Sequence, residues 1–252
     1  MRKIYRVQEG DSKPSRLAIA GVANELRAGG LALLPTETVY GVGVSVAAFA
    51  GGDPASSKLP AADSGYRRIF SLKRRDLSQT VPWLVGGADA LDAYGVDVDP
   101  RARALAEAFW PGALTIVVRA SKAVPLFMRA VDGTVALRAS ASPVILELVR
   151  ACASPLAVTS ANTHGHPAPA AFSDVEPRIL DGVDAAVDAG ATRCRDASTI
   201  VSFASGELDI LRQGALPAEK IREELDRGEG RPPAAASPVP DNPIRPATED
   251  DR

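Results

Sequence analysis

Leu31-Ala-Leu-Leu-Pro-Thr-Glu-Thr-Val-Tyr-Gly-Val-Gly43 is the stretch on which the reading of this chain turns. Four apolar residues, Leu31 to Leu34, suit a buried strand, and Pro35 stops it. The hydroxyls of Thr36, Thr38 and Tyr40 follow, closed by Gly41 and Gly43. An apolar run broken by Pro and Gly is most often an ordinary strand and turn, and a short motif carries weight only with its context. Strand, polar elbow, strand is also how many ligand pockets begin.

Upstream, the spacing predicts a helix from Pro14 to Ala28. Pro14 occupies its first turn, Leu17, Ile19, Val22, Ala23 and Leu26 are its apolar residues, and Gly29-Gly30 ends it. Residues 1–13 read as a short polar N-terminal segment. Downstream, Ala47 to Gly65 is rich in Gly, Pro, Ser and Asp, which predicts a mobile surface loop at about residues 50–65. A short helix from Tyr66 to Lys73 then ends in the basic run Lys73-Arg74-Arg75. Further strands are predicted from Val81 to Val85, Ala113 to Arg119, Thr134 to Arg138, Pro155 to Ser160, Ala185 to Asp188, Ser198 to Phe203 and Leu208 to Arg212. Further helices start at Asp99-Pro100, Ser142-Pro143 and Pro217, the last running to Leu225, and Ser173-x-x-Glu176 resembles a capping box. Strands alternating with helices argue an α/β domain over residues 14–225, with a mixed β-sheet and helices packed against it. Residues 226–252 hold almost no large apolar side chain, so a disordered tail is expected there.

The whole chain, 252 residues with a formal net charge of −2, is long enough to bury one sizeable core and is not basic enough to coat its surface with nucleic acid. Cys152 and Cys194 are the only cysteines, too few for a disulfide framework or a zinc cluster. No apolar run resembles a signal peptide or a membrane span, so a cytoplasmic location is expected.

Polar and cationic residues gather at the predicted strand ends: Thr36 and Thr38, Thr115 and Arg119, Arg138, Thr159 to Asn162, Ser198, and Arg212. In open α/β sheets ligands bind outside strand ends, so convergence of these ends would build one cleft. Lys73, Arg75, Arg138 and Arg212 would give it a positive potential suited to phosphates or carboxylates, although cations at element ends are also ordinary solvated surface. Phosphate-loop, dinucleotide, serine-hydrolase and zinc-protease motifs are all missing from the sequence. His164 and His166 flank Gly165 in what reads as a surface loop, without a third metal ligand nearby. A cleft lined by cations and hydroxyls but lacking a nucleophile suits reactants that bring their own, as in nucleotidyl transfer.

Six segments in order resemble the YrdC/Sua5 family of threonylcarbamoyl-AMP synthases. They are Pro35-Thr-Glu-Thr-Val-Tyr-Gly-Val-Gly43, Ile69-Phe70 with Lys73-x-Arg75, Pro111-Gly-Ala-Leu-Thr115, Thr159-Ser-Ala-Asn162, Ser198-Thr-Ile-Val201 and Ile210-Leu-Arg-Gln-Gly214. The likeness runs from about Ser15 to Leu216 and is closer to the short form of the family. It implies a YrdC-like α/β fold, a twisted mixed β-sheet with packed helices around a positively charged cleft. It also implies a reaction in which L-threonine, bicarbonate and ATP yield threonylcarbamoyl-AMP and pyrophosphate for the t6A base of tRNA. By motif position, Lys73 and Arg75 would be catalytic. Thr36, Thr38, Tyr40, Arg119, Arg138, Ser160 and Ser198 would bind substrate, and Lys73, Arg75, Thr115, Asn162 and Arg212 would face ATP. No acidic cluster marks a protein-held metal, so Mg²⁺ is expected to arrive with ATP. A downstream tRNA threonylcarbamoyl transferase would consume the product.

The chain departs from the family pattern at Asp76 and Thr80, where prolines are usual, at Ser140, usually proline, and at Ser202, where an acid is common. His164 and His166 also depart, and a pairing of Asp76 with Arg75 is one expected consequence. Two other functions compete. One is an RNA-binding protein of this fold that holds double-stranded RNA or tRNA, which the 5% aromatic content disfavours as a stacking platform. The other is a carbamoyl-adenylate enzyme with a different acceptor.

Overall fold

The computed structural model describes residues 3–7, 14–51 and 57–229. Strand β1 (Lys3–Arg6) leads into helix α1 (Arg16–Arg27), and strands β2 (Ala32–Pro35) and β3 (Tyr40–Ser45) follow. Next come α2 (Gly65–Lys73), β4 (Trp83–Val85), α3 (Ala90–Tyr94), α4 (Pro100–Phe109), β5 (Leu114–Arg119) and β6 (Thr134–Ala139). The chain continues through α5 (Pro143–Cys152), β7 (Leu156–Ser160), α6 (Pro177–Asp181) and β8 (Ala185–Asp188). Strands β9 (Thr199–Ser202) and β10 (Asp209–Arg212) and helix α7 (Ala218–Glu229) complete it.

The ten strands of the described residues form one mixed sheet in the order β1-β8-β2-β3-β7-β4-β6-β5-β9-β10. Its centre is antiparallel, β2 against β3 and β3 against β7, while β1 and β2 run parallel to β8, β4 to β6 and β5 to β9. The pleat divides the opening stretch between two cores, because successive side chains point to opposite faces. Leu31 and Leu33 pack with Tyr40, Val42, Ile69 and Leu105 on one face. Ala32 and Leu34 pack with Ile19, Val22 and Leu26 of α1 and Ile145 and Leu148 of α5 on the other. The sheet is therefore covered on both sides, and its middle strands are apolar on both.

Local chemistry sets the helix ends. Asp99 accepts from the Arg101 amide at 2.8 Å and Pro100 occupies the first turn of α4. Ser64 accepts from the Arg67 amide at 3.4 Å at the start of α2, and Arg74, left-handed at φ 51°, turns the chain out of its end. Ser142 precedes α5 as expected, but its hydroxyl donates to the Pro35 carbonyl at 2.8 Å rather than capping, which ties that helix to the end of β2.

Several boundaries differ from the sequence reading. Lys3–Arg6, placed ahead of the domain, is a strand paired with β8. Leu17, assigned to the apolar face of α1, is 84% exposed, since the buried stripe is Ala18, Ile19, Val22, Ala23 and Leu26. Helix α3 was not anticipated, and α7 continues through Asp226 to Glu229, into the expected tail. Ser173 and Glu176 form no capping box: Glu176 instead accepts from the Thr163 amide and hydroxyl, both at 2.8 Å. Residues 52–56 of the loop and 230–252 of the tail lie outside the described residues.

Candidate functional site

The ends of β2, β6, β7 and β10 meet the starts of β3, β5 and β9 around a cavity of about 90 Å³. Thr36, Thr38, Tyr40, Thr115, Arg138, Ser160, Ser198 and Arg212 line it, together with Thr159, Leu84, Val158 and Ala197. Eight of the twelve residues singled out from sequence thus share one wall. The volume is well below the roughly 300 Å³ at which drug-sized pockets begin, so it suits an amino-acid-sized or phosphate-sized group.

The elbow between β2 and β3 is a hydroxyl-built turn. Thr36 Oγ1 accepts from the Thr38 and Val39 amides, both at 3.1 Å, and donates to the Val39 carbonyl at 2.6 Å. With that proton committed, the Thr38 hydroxyl is the donor in its 2.8 Å contact with Thr36 Oγ1. The Tyr40 hydroxyl is tied away from solvent, donating to the Gly190 carbonyl at 3.0 Å and accepting from the Ala189 amide at 2.9 Å. Its ring stands edge-on to Phe172 and is fully buried, so it offers no face for a base to stack on.

Arg138, at the end of β6, is 6% exposed. Its Nε donates to the Gly112 carbonyl at 3.0 Å and Nη1 to Thr38 Oγ1 at 3.1 Å, while Nη2 pairs with the Glu37 carboxylate. The other Glu37 oxygen accepts from the Ser140 hydroxyl. Burial pushes the Glu37 carboxyl up, but the Arg138 charge and the bonds from Ser140 and Arg138 outweigh it and hold it below its ordinary value. The Pro111-Gly112 segment therefore steers this arginine through a carbonyl. A Cβ at Gly112 would lie 2.4 Å from the Phe109 carbonyl oxygen.

On the facing side, Thr115 and Ser198 share a hydroxyl contact of 2.8 Å between β5 and the start of β9. Arg212 donates through Nε and Nη2 to the Ser198 carbonyl at 3.1 and 2.8 Å and reaches Ser198 Oγ at 3.2 Å. Burial, then the like charge of Arg138, lowers the Arg212 pKa, so the two guanidiniums share the field of one cavity.

Lys73, Arg75 and Asn162 stand behind this wall. Lys73 Nζ donates to the Ser160 carbonyl, to the Asn162 carbonyl at 2.8 Å and to Asn162 Oδ1 at 3.2 Å. Asn162 Nδ2 in turn donates to the Thr163 and His166 carbonyls at 3.0 and 2.7 Å, closing the turn after β7. Burial first and Arg75 second push Lys73 down to about 8, against a smaller rise from Glu176. Arg75 donates to Gln79 Oε1 at 2.5 Å, to the Thr80 carbonyl at 2.6 Å and to Thr159 Oγ1 at 3.2 Å. These side chains shape the cavity through Thr159 and Ser160 rather than lining it.

Arg119 is the residue that the fold sends elsewhere. It lies at the opposite end of β5 from Thr115, 75% exposed and 3.9 Å from Asp97, beside a groove of about 360 Å³ that Asp132 and Ser202 also line. Four positions along the strand separate Thr115 from Arg119, so Arg119 does not line the cavity that Thr115 lines. The expected pairing of Asp76 with Arg75 is not formed either; Asp76 Oδ1 accepts from the Ser78 amide at 2.7 Å. Sequence reading passed over Glu37 and gave Thr159 no separate role, although both lie inside quoted motifs. A carboxylate between two threonines at a strand end, with a cation predicted at another, was the available signal.

Among the described residues no group of three or more His, Cys, Asp and Glu could hold a metal ion, and no helix is long and apolar enough to cross a membrane.

The family model Sua5_yciO_yrdC, described as telomere recombination, matches residues 59–214. A Mycobacterium tuberculosis protein that provisionally carries the name threonylcarbamoyl-AMP synthase is 33% identical over 215 residues, 85% of this chain and 92% of its own. A Pyrococcus abyssi threonylcarbamoyl-AMP synthase is 30% identical over 203 residues, which are 81% of this chain and 56% of that protein. The crystal structure of P. abyssi Sua5 complexed with L-threonine is similar with a TM-score of 0.77 and 29% identity, covering 88% of this chain and 60% of that one.

Proposed function

The chain belongs to the Sua5/YciO/YrdC family, and from that premise we propose that it is a threonylcarbamoyl-AMP synthase. Its substrates are L-threonine, bicarbonate and ATP, and its products threonylcarbamoyl-AMP and pyrophosphate. The observation that carries this reading is the cavity that Arg138, Arg212 and the Thr115–Ser198 hydroxyl pair enclose, in a chain whose curated relatives bear that name.

The chemistry asks little covalent work of the protein. The threonine amine combines with bicarbonate, losing water, to give a carbamate, and a carbamate oxygen then attacks the α-phosphate of ATP as pyrophosphate leaves. The nucleophile comes from the substrates, so the enzyme's part is positioning and charge stabilisation. The cavity takes the threonine end, with Ser160 and Ser198 offering hydroxyls and Arg138 a guanidinium, while Thr36 and Thr38 shape its wall and brace Arg138. ATP is too large for it and lies across the mouth toward Arg212, with Mg²⁺ travelling on its phosphates. Lys73, Arg75 and Asn162 act by holding Thr159 and Ser160 in place. Arg119 takes no part. The product passes to a transferase that modifies tRNA.

Incubation with ATP, bicarbonate and L-threonine should release pyrophosphate only when all three are present. Release independent of threonine would favour another acceptor, and tight RNA binding without any release would favour the RNA-binding reading.

A further inference from the structure

We infer that Glu37, with Ser140 as its second hydrogen-bond donor, is the positioning residue for the cavity-facing guanidinium of Arg138. All three side chains are buried, at 7%, 0% and 6% exposure, and they come from two pieces of chain: the β2–β3 elbow, which carries Glu37, and the end of β6, which carries Arg138 and, one residue past the strand, Ser140. A buried ion pair is poor evidence of a purely stabilising purpose. Desolvating two charges cancels most of their attraction, and apolar residues of equal volume would fill the space as well.

What apolar filling lacks is the remaining hydrogen-bonding capacity. A guanidinium carries five N–H groups, and Gly112, Thr38 and Glu37 each accept one from Arg138. These bonds, one from each nitrogen, fix the plane of the fork, and the second N–H of Nη1 and of Nη2 is left for whatever enters the cavity that Arg138 lines. Ser140 completes the device. Its hydroxyl occupies Glu37 Oε2 and its own oxygen accepts from the Ser142 amide at 3.2 Å, anchoring the carboxylate to the start of α5. Ser140 thereby gives Glu37 a second tether beside Arg138.

The kinetic consequence rests on the synthase reading, whereas the geometric one does not. Crystal structures and steady-state kinetics of Glu37→Ala, Glu37→Gln and Ser140→Ala, in the full chain, separate them. In Glu37→Ala the Arg138 fork should leave its wild-type position, and the KM for L-threonine or ATP should rise about tenfold with a smaller change in kcat. Glu37→Gln, which keeps an acceptor oxygen, should recover part of that loss. If Glu37→Ala does not fold, Ser140→Ala carries the test, with a KM rise of about threefold restored by Ser140→Thr. An unmoved Arg138 fork with wild-type KM values in the variants that fold would overturn the inference. Absence of threonine-dependent turnover in the wild-type protein would overturn the synthase reading alone, and the position of Arg138 would still decide this one.

Discussion

Lys73 keeps an ammonium at 2% exposure, surrounded by the Ser160 and Asn162 carbonyls and Asn162 Oδ1. Its folded pKa, about 8, lies below that of an unfolded lysine, so between those values the unfolded chain binds more protons. Stability contributed by this group therefore rises as pH climbs from about 8 toward the ordinary lysine value. Chemical denaturation across that window should show stability changing with pH less favourably in Lys73→Met than in the wild-type protein, the difference being the lysine's own contribution, and identical slopes would contradict the burial argument. The substitution should also cost about 1–3 kcal/mol at neutral pH, because the carbonyls lose their buried donor. Lys73, Arg75 and Asn162 were legible from sequence as site residues, but their place behind the cavity wall was not. Which of a cation's partners are backbone carbonyls depends on how the turn after β7 closes, and spacing along the chain does not encode that. Glu37 was overlooked for a related reason: a lone carboxylate reads as solvated until its buried partner is known.

Among the elements, β3 shows why two glycines stand in the opening stretch. A Cβ on Gly41 would come within 2.5 Å of Val158 Cγ1 and 2.9 Å of the Thr159 carbonyl oxygen, and one on Gly43 would be as close to Val158 and Ala157. The glycines let β3 and β7 close together where Gly41 faces Ser160. Gly41→Ala should lower stability by about 1–3 kcal/mol, read as a smaller urea midpoint at unchanged slope, and should weaken ligand binding by displacing Thr159 and Ser160. A variant with the wild-type midpoint would show that the strands have slack. Most strands and the larger helices were legible because apolar periodicity and Pro/Gly stops mark them, as at Asp99-Pro100 and Ser142-Pro143. Strand β1 and helix α3 were not. Four residues with an exposed pattern carry no period, and β1 exists because β8 offers it an edge. Helix α3 is five residues long, too short for a stripe.

For the whole molecule, the decisive property is strand order. The opening hairpin sits beside β7, and β5, β6 and β9 lie farther along the same sheet, yet their ends meet in one cavity. Sequence reading anticipated a mixed sheet and converging strand ends, but the direction of each strand decides which end a residue occupies. That is how Thr115 reached the site while Arg119, on the same strand, was carried to the opposite end. Order and direction follow from long-range pairing, such as β1 with β8, which no local pattern records. We propose that threonine, bicarbonate and ATP are joined into a carbamoyl-adenylate at this cavity and its mouth. Isotope-labelled bicarbonate, supplied with L-threonine and ATP and followed by mass spectrometry, tests it most directly. Threonylcarbamoyl-AMP should carry the label in its carbamoyl carbon, and Arg138→Ala should not form it. Failure to form a labelled adenylate, or its undiminished formation by Arg138→Ala, would contradict it.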